Sequence, residues 1–153
     1  MPLLATKYFA TLPYESSDCY QFPLGIPGFD DEKQFVLLNI PGKEPLVFLQ
    51  SVTTPGLCFL ALPILVVDPV YELSVSSEDL RTLDLELTRQ PRLGGEALVL
   101  ALLAIEKGQD ATANLLAPIV INVAKRRAVQ AIRCDSVYSH RQSLPQLSRS
   151  EAC

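Results

Sequence analysis

Few side chains in this sequence are of types that carry chemistry at neutral pH, and their spacing limits what they can do. A serine or cysteine nucleophile needs a base within hydrogen-bond reach, most often an imidazole. The sequence holds one histidine, His140, beside Arg141 near the end of the domain, where it reads most simply as a solvated imidazole. The cysteines Cys19, Cys58, Cys134 and Cys153 are far apart and form no CxxC pair, which argues against a zinc knuckle. Cys58 lies in the apolar run Leu57–Leu62, where a thiol behaves as a small hydrophobe, and no cation close in sequence would activate it. Asp30-Asp31-Glu32 follows a Gly-Pro-rich turn and reads as a solvated acidic cluster. Glu78 and Asp79 suit the positive end of a helix capped by Ser77. Gly25-Ile26-Pro27-Gly28 has a proline where a phosphate loop needs a backbone donor. The basic run Lys125-Arg126-Arg127 precedes a strand, Ala128–Cys134, without the aromatics of an RNA-binding sheet, so a charged turn is the simpler reading. No catalytic residue, metal site or cofactor is expected.

The elements that must position these residues are short. Twelve prolines segment the chain, and proline breaks helices and removes a ladder donor. Between the breaks, runs rich in β-branched and aromatic residues predict strands at Thr6–Ala10, Gln34–Asn39, Leu46–Val52, Cys58–Leu62, Tyr71–Val75, Ala97–Ile105, Ala111–Leu115, Ile119–Val123 and Ala128–Cys134. Turn signals such as Pro41-Gly42, Pro55-Gly56 and Gly94-Gly95 separate them. The expected fold is mainly β: a single-domain antiparallel barrel-like meander with one or two short helices, one of them starting at Ser77. The domain is expected over 1–141, with a flexible C-terminal tail over 142–153.

At 153 residues there is room for one substantial core, and a hydrophobic fraction of 48% supplies it. The longest apolar runs, Leu57–Val67 and Ala97–Ile105, fall short of the roughly 20 residues a spanning helix needs. No secretory signal is visible, so a cytoplasmic chain that does not act at membranes is expected. Residues 1–110 carry 15 acids against 7 bases, and residues 111–153 carry 2 against 6. The acidic part argues against a nucleic-acid backbone as the main ligand and favours a basic partner.

Two strings are unusual for rigidity. Phe22-Pro23-Leu24-Gly25-Ile26-Pro27-Gly28-Phe29 loses little conformational freedom on folding. In the second, Asn114-Leu115-Leu116-Ala117-Pro118-Ile119-Val120-Ile121-Asn122, a strand is broken at Pro118 between two amides. A proline-broken strand reads as an edge, and edges recruit partners. Asn114, Leu115, Ala117, Pro118, Ile119 and Asn122 are therefore the candidate partner-binding residues. The competing reading makes the same string core and turn packing, the amides satisfying backbone groups freed by the break.

In this order, the strings resemble the flagellar assembly factor FliW family. The match begins at Thr6-Lys7-Tyr8-Phe9 and the Phe22–Phe29 string, and continues through Phe35-Val36-Leu37-Leu38, Phe48–Val52, Asp68–Glu72 and Glu78-Asp79-Leu80. It closes with Thr112–Asn122 and Asp135–Arg141. Ala10 and the Arg89–Gly95 segment depart from the family pattern. The resemblance implies a compact β-barrel and a non-enzymatic role: binding newly made flagellin in the cytoplasm and, when free, binding the carbon storage regulator (CsrA), a small dimeric RNA-binding repressor of flagellin translation. No direct contact with nucleic acid is implied. Two alternatives come from the residues: a small thiol-dependent enzyme using Cys58 or Cys134, and a direct RNA-binding barrel using Lys125, Arg126 and Arg127.

Overall fold

The computed structural model describes residues 3–4, 12–13 and 18–144. Its strands in chain order are β1 (Leu3–Leu4), β2 (Leu12–Pro13), β3 (Cys19–Gln21), β4 (Gln34–Leu38), β5 (Val47–Ser51), β6 (Cys58–Pro63), β7 (Ala97–Ala104), β8 (Thr112–Ala113), β9 (Ile119–Asn122), β10 (Arg127–Gln130) and β11 (Gln142–Ser143). Two short helices, α1 (Ile64–Val67) and α2 (Ser77–Thr82), lie between β6 and β7.

Strands β3 to β7 form an antiparallel meander. The sheet closes because β7 also pairs with β9, from Ala97↔Asn122 to Leu100↔Ile119, while β10 joins β9 to β3. The result is a seven-stranded barrel, β7-β6-β5-β4-β3-β10-β9, in agreement with the barrel expected from the strand spacing. The β10–β3 contact is the one parallel pairing in the closed sheet and consists of a single register pair, Arg127↔Gln21. Beyond the barrel, β8 pairs with the far end of β7, and β11 with β8.

Closure creates two apolar layers from one period-2 pattern. Phe22, Phe35, Leu49, Ala61, Leu100, Ile119, Ile121 and Ala128 converge inside the barrel. The alternate residues Val99, Ala101, Val120, Val129 and Ala131 face outward and are covered by Ile64, Val67, Tyr71, Leu80 and Leu83. Burying a large aliphatic or aromatic side chain contributes about 1.5–3 kcal/mol, so both layers are needed in a chain this small.

Two expectations, the strand at Tyr71–Val75 and the cap at Ser77, require correction. Tyr71–Val75 is not a strand, because side chains stand where a partner strand would: Glu72 N donates to the Tyr138 hydroxyl (3.0 Å), and Gln90 brackets Val75 at 2.6 and 3.1 Å. Ile64–Val67 is β-branched in type yet forms a helical turn, because Pro63 ends β6 and burial of Ile64 and Val67 at i, i+3 requires it. The cap of α2 is Ser76, not Ser77; its hydroxyl accepts from Asp79 N at 3.1 Å. The strand expected at Thr6–Ala10 lies outside the described residues. Gln142 and Ser143, expected in the tail, pair with Ala113 and Thr112.

Candidate functional site

The string 114–122 is built into the barrel wall. β9 is paired on both sides, by β7 and β10, so the edge expected at Pro118 is not there. Leu115, Ala117, Pro118, Ile119 and Asn122 are buried, and Asn114 is half-buried. Asn114 Oδ1 accepts from the amides of Leu116 and Ala117, both at 3.0 Å. Asn122 Nδ2 donates to Leu83 O at 2.8 Å, tying the end of α2 to the barrel, and Asn122 Oδ1 accepts from Lys125 N at 3.3 Å. These are the packing and turn roles weighed against docking for the two amides.

The same string has a second effect, because its carbonyls hold the segment that follows it. Pro118 O accepts from Ala131 N (2.8 Å) and Leu116 O from Arg133 N (2.9 Å), while Ala117 O accepts from Gln130 Nε2 (3.0 Å). Arg133 then locks the chain: its guanidinium pairs with Asp135 at 2.8 and 2.9 Å, donates to Glu72 O at 2.7 Å, and lies over the rings of Tyr138 and Tyr71. Its hydrogen bonds to Asp135 raise the Arg133 pKa and hold the Asp135 carboxyl below the usual range.

Along the opposite side of β10 runs an open groove of about 660 Å³. One wall is the rigid loop, contributing Leu24, Gly25, Pro27 and Asp30; the other is the start of α2, with Ser76, Ser77, Glu78 and Asp79. Val129, Gln130, Ile132 and Cys134 form its floor. The loop keeps its shape because Phe22 and Ile26 are buried in the barrel, with Phe22 edge-on to Phe35 at 5.0 Å. Gly25 at φ +69° lets the loop close against Asp30, whose backbone a Cβ at this position would meet at 2.6 Å. This leaves Leu24 and Ile132 59% and 55% exposed within the groove. All the charged lining residues are acidic, and burial pushes the Asp79 carboxyl up, opposed by the bond from Ser76. The loop was legible in the sequence as a rigid string. The floor was not, because β10 becomes an edge only through where β3 stops.

The residues with catalytic types are dispersed. His140 is exposed, and among the described residues no hydroxyl or thiol hydrogen-bonds its ring. Burial pushes the Cys58 thiol up to about 11, so it is protonated at neutral pH and a poor nucleophile. Cys134 is exposed on the groove floor. Among the described residues no cluster of three or more histidines, cysteines or carboxylates is arranged to hold a metal ion. Glu32 is not simply solvated as its cluster suggested. It accepts from Ser51 Oγ, from Thr54 Oγ1 at 2.7 Å and from Thr53 Oγ1 at 3.2 Å, and these bonds, that from Ser51 first, hold its carboxyl below the usual range. Ser51 is fully buried and its oxygen also accepts from the Thr53 and Thr54 amides, so the pair fastens a turn. Lys125-Arg126-Arg127 forms the β9–β10 turn and the start of β10, as expected. Lys125 faces Asp84 at 3.5 Å, Arg126 lies over the Tyr20 ring at 5.1 Å, and Arg127 reaches Thr82 O at 3.4 Å.

Comparison with known proteins places relatives over nearly the whole chain. The family described as FliW protein matches residues 3–144. The flagellar assembly factor FliW of Geobacillus sp. (strain WCH70) is 39% identical over 141 residues, covering 92% of this chain and 94% of that protein. The flagellar assembly factor FliW of Bacillus subtilis (strain 168) is 33% identical over 137 residues, covering 90% and 92%. A crystal structure of the flagellar assembly factor FliW superposes with a TM-score of 0.80 at 35% identity, covering 95% of this chain and 99% of that one. Among the described residues no helix is long and apolar enough to cross a membrane.

Proposed function

Because the chain belongs to the FliW family of flagellar assembly factors, we propose that it acts in the cytoplasm by binding two proteins in turn, flagellin and the carbon storage regulator (CsrA). Held by flagellin, it leaves the regulator free to repress flagellin translation; released when flagellin is exported, it binds the regulator and lifts the repression. Flagellin synthesis then follows export without any chemical step by this protein.

The observation that carries this reading is the groove beside β10. It combines exposed apolar side chains, which reward burial, with three carboxylates and no base among its charged lining residues. A regulator that binds RNA must itself be basic, so the charge signs are complementary and would speed encounter. The string 114–122 contributes from behind, through Leu116, Ala117 and Pro118 carbonyls that fix the groove floor.

Two features weigh against the alternatives. The elevated Cys58 pKa disfavours a thiol enzyme at neutral pH. Each of the three clustered cations is engaged with a neighbouring carboxylate, ring or carbonyl, which disfavours a basic RNA platform. The test is to run the purified protein on a sizing column with the regulator, with flagellin, and with both. Two separate complexes and mutual exclusion are expected; co-elution with neither partner overturns the proposal.

A further inference from the structure

We infer that the groove floor is an open strand edge that takes an extended segment of a basic partner protein, alternating apolar and cationic side chains, as an added β-strand. This rests on the proposed function in so far as the groove binds a protein; it adds the mode of binding and the chemistry of the bound segment.

In an antiparallel pair, successive amides along a strand point to opposite sides. Ala131 N and Arg133 N point back toward the line of β9, where they bond Pro118 O at 2.8 Å and Leu116 O at 2.9 Å. The amides between them, of Gln130 and Ile132, therefore point away from β9. Were β3 longer, it would cover them, but β3 ends at Gln21 after the single pair Arg127↔Gln21. There the chain turns inward, with Phe22 N donating to Lys33 O at 2.8 Å and the Phe22 ring buried. Among the described residues nothing pairs with β10 beyond Arg127 on that side, and the Ile132 amide, which lies past the end of β10, makes no backbone hydrogen bond.

What surrounds this edge selects its occupant. The wall formed by Leu24, Gly25 and Pro27, with Ile132 on the floor, is mainly apolar; the other wall carries Glu78 and Asp79, and Asp30 stands at the loop end. An extended chain laid along the edge sends successive side chains to opposite faces, so an apolar and cationic alternation meets both walls at once. A second copy of this chain is disfavoured, because pairing two such edges would bring six carboxylates together. A helix would leave the Ile132 amide unmet.

The test uses a fluorescein-labelled synthetic heptapeptide of alternating valine and lysine, read by anisotropy against the full chain. A glutamate-for-lysine version and a version N-methylated at alternate backbone amides serve as comparisons. Saturable binding of the lysine peptide is expected, with no binding of the glutamate peptide and at least about tenfold weaker binding of the methylated one. Ile132→Pro removes a donor that makes no bond among the described residues and is expected to weaken binding at least about tenfold, whereas Ile132→Val retains it. If the lysine peptide does not bind, or binds equally when methylated and to Ile132→Pro, strand addition is overturned. Should Ile132→Pro not fold, the methylated peptide still decides the matter. Failure here, with the regulator and flagellin still forming their complexes on the sizing column, leaves the proposed function standing. Loss of both complexes with the wild-type chain removes that function instead.

Discussion

Gly25, Glu32 and Asn122 show how single residues set the shape of the groove and its support. A β-carbon at Gly25 would stand 2.6 Å from Asp30 O with φ at +69°, a region costly for a side chain. Gly25→Ala is expected to destabilise by about 1–3 kcal/mol in urea unfolding and to loosen the loop wall. Glu32 has its carboxyl pKa depressed, so its stabilising contribution is present above the unfolded value near about 4.3 and is lost as pH falls through the folded value. Glu32→Gln should therefore lower stability at pH 7 and flatten the pH dependence of the melting temperature below about pH 5. Asn122 is buried, with both amide atoms bonded. From sequence, its place beside a proline-broken strand left two readings open, a docking amide and a packing one. The structure points to Asn122→Ala costing about 1–3 kcal/mol, because Leu83 O is left unpaired. A melting temperature equal to that of the wild type would contradict this. Sequence showed that these residue types were unusual in place, but not which atoms they would meet, since Leu83 is 39 positions from Asn122.

At the scale of elements, strands with β-branched runs between turn signals were legible, including β4, β5, β6, β7 and β9 to within a residue or two at each end. Segments whose hydrogen bonds are not local were not legible. Tyr71–Val75 alternates buried and exposed residues like a strand, yet its partners are the Tyr138 hydroxyl and the Gln90 amide, remote in sequence. β3 was missed because three residues hardly form a pattern, though its end at Gln21 is what opens the edge of β10. The element forming the acidic wall, α2, has six residues and depends on its cap. Ser76→Ala should cost about 1 kcal/mol and speed amide exchange over residues 77–82, with the barrel strands unchanged. Equal exchange in α2 would mean that packing of Leu80 and Leu83 holds the helix without the cap.

For the whole molecule, closure joins a local meander to two long-range pairings, β7 with β9 and β10 with β3. The barrel class followed from strand number and apolar alternation, but the closing pairs could not, because period-2 sequences do not encode their neighbours. The outer apolar layer covers β7, β9 and β10, and under the proposed function recognition falls where the sheet is incomplete. The proposed function thus turns on location, with partners met at the β10 groove. Amide hydrogen exchange of the purified chain, free and saturated with the regulator, tests it most directly. Slowed exchange is expected at Gln130 and Ile132 and in the 24–30 loop. Protection confined to other surfaces, with residues 128–134 and 24–30 exchanging as in the free chain, would contradict it.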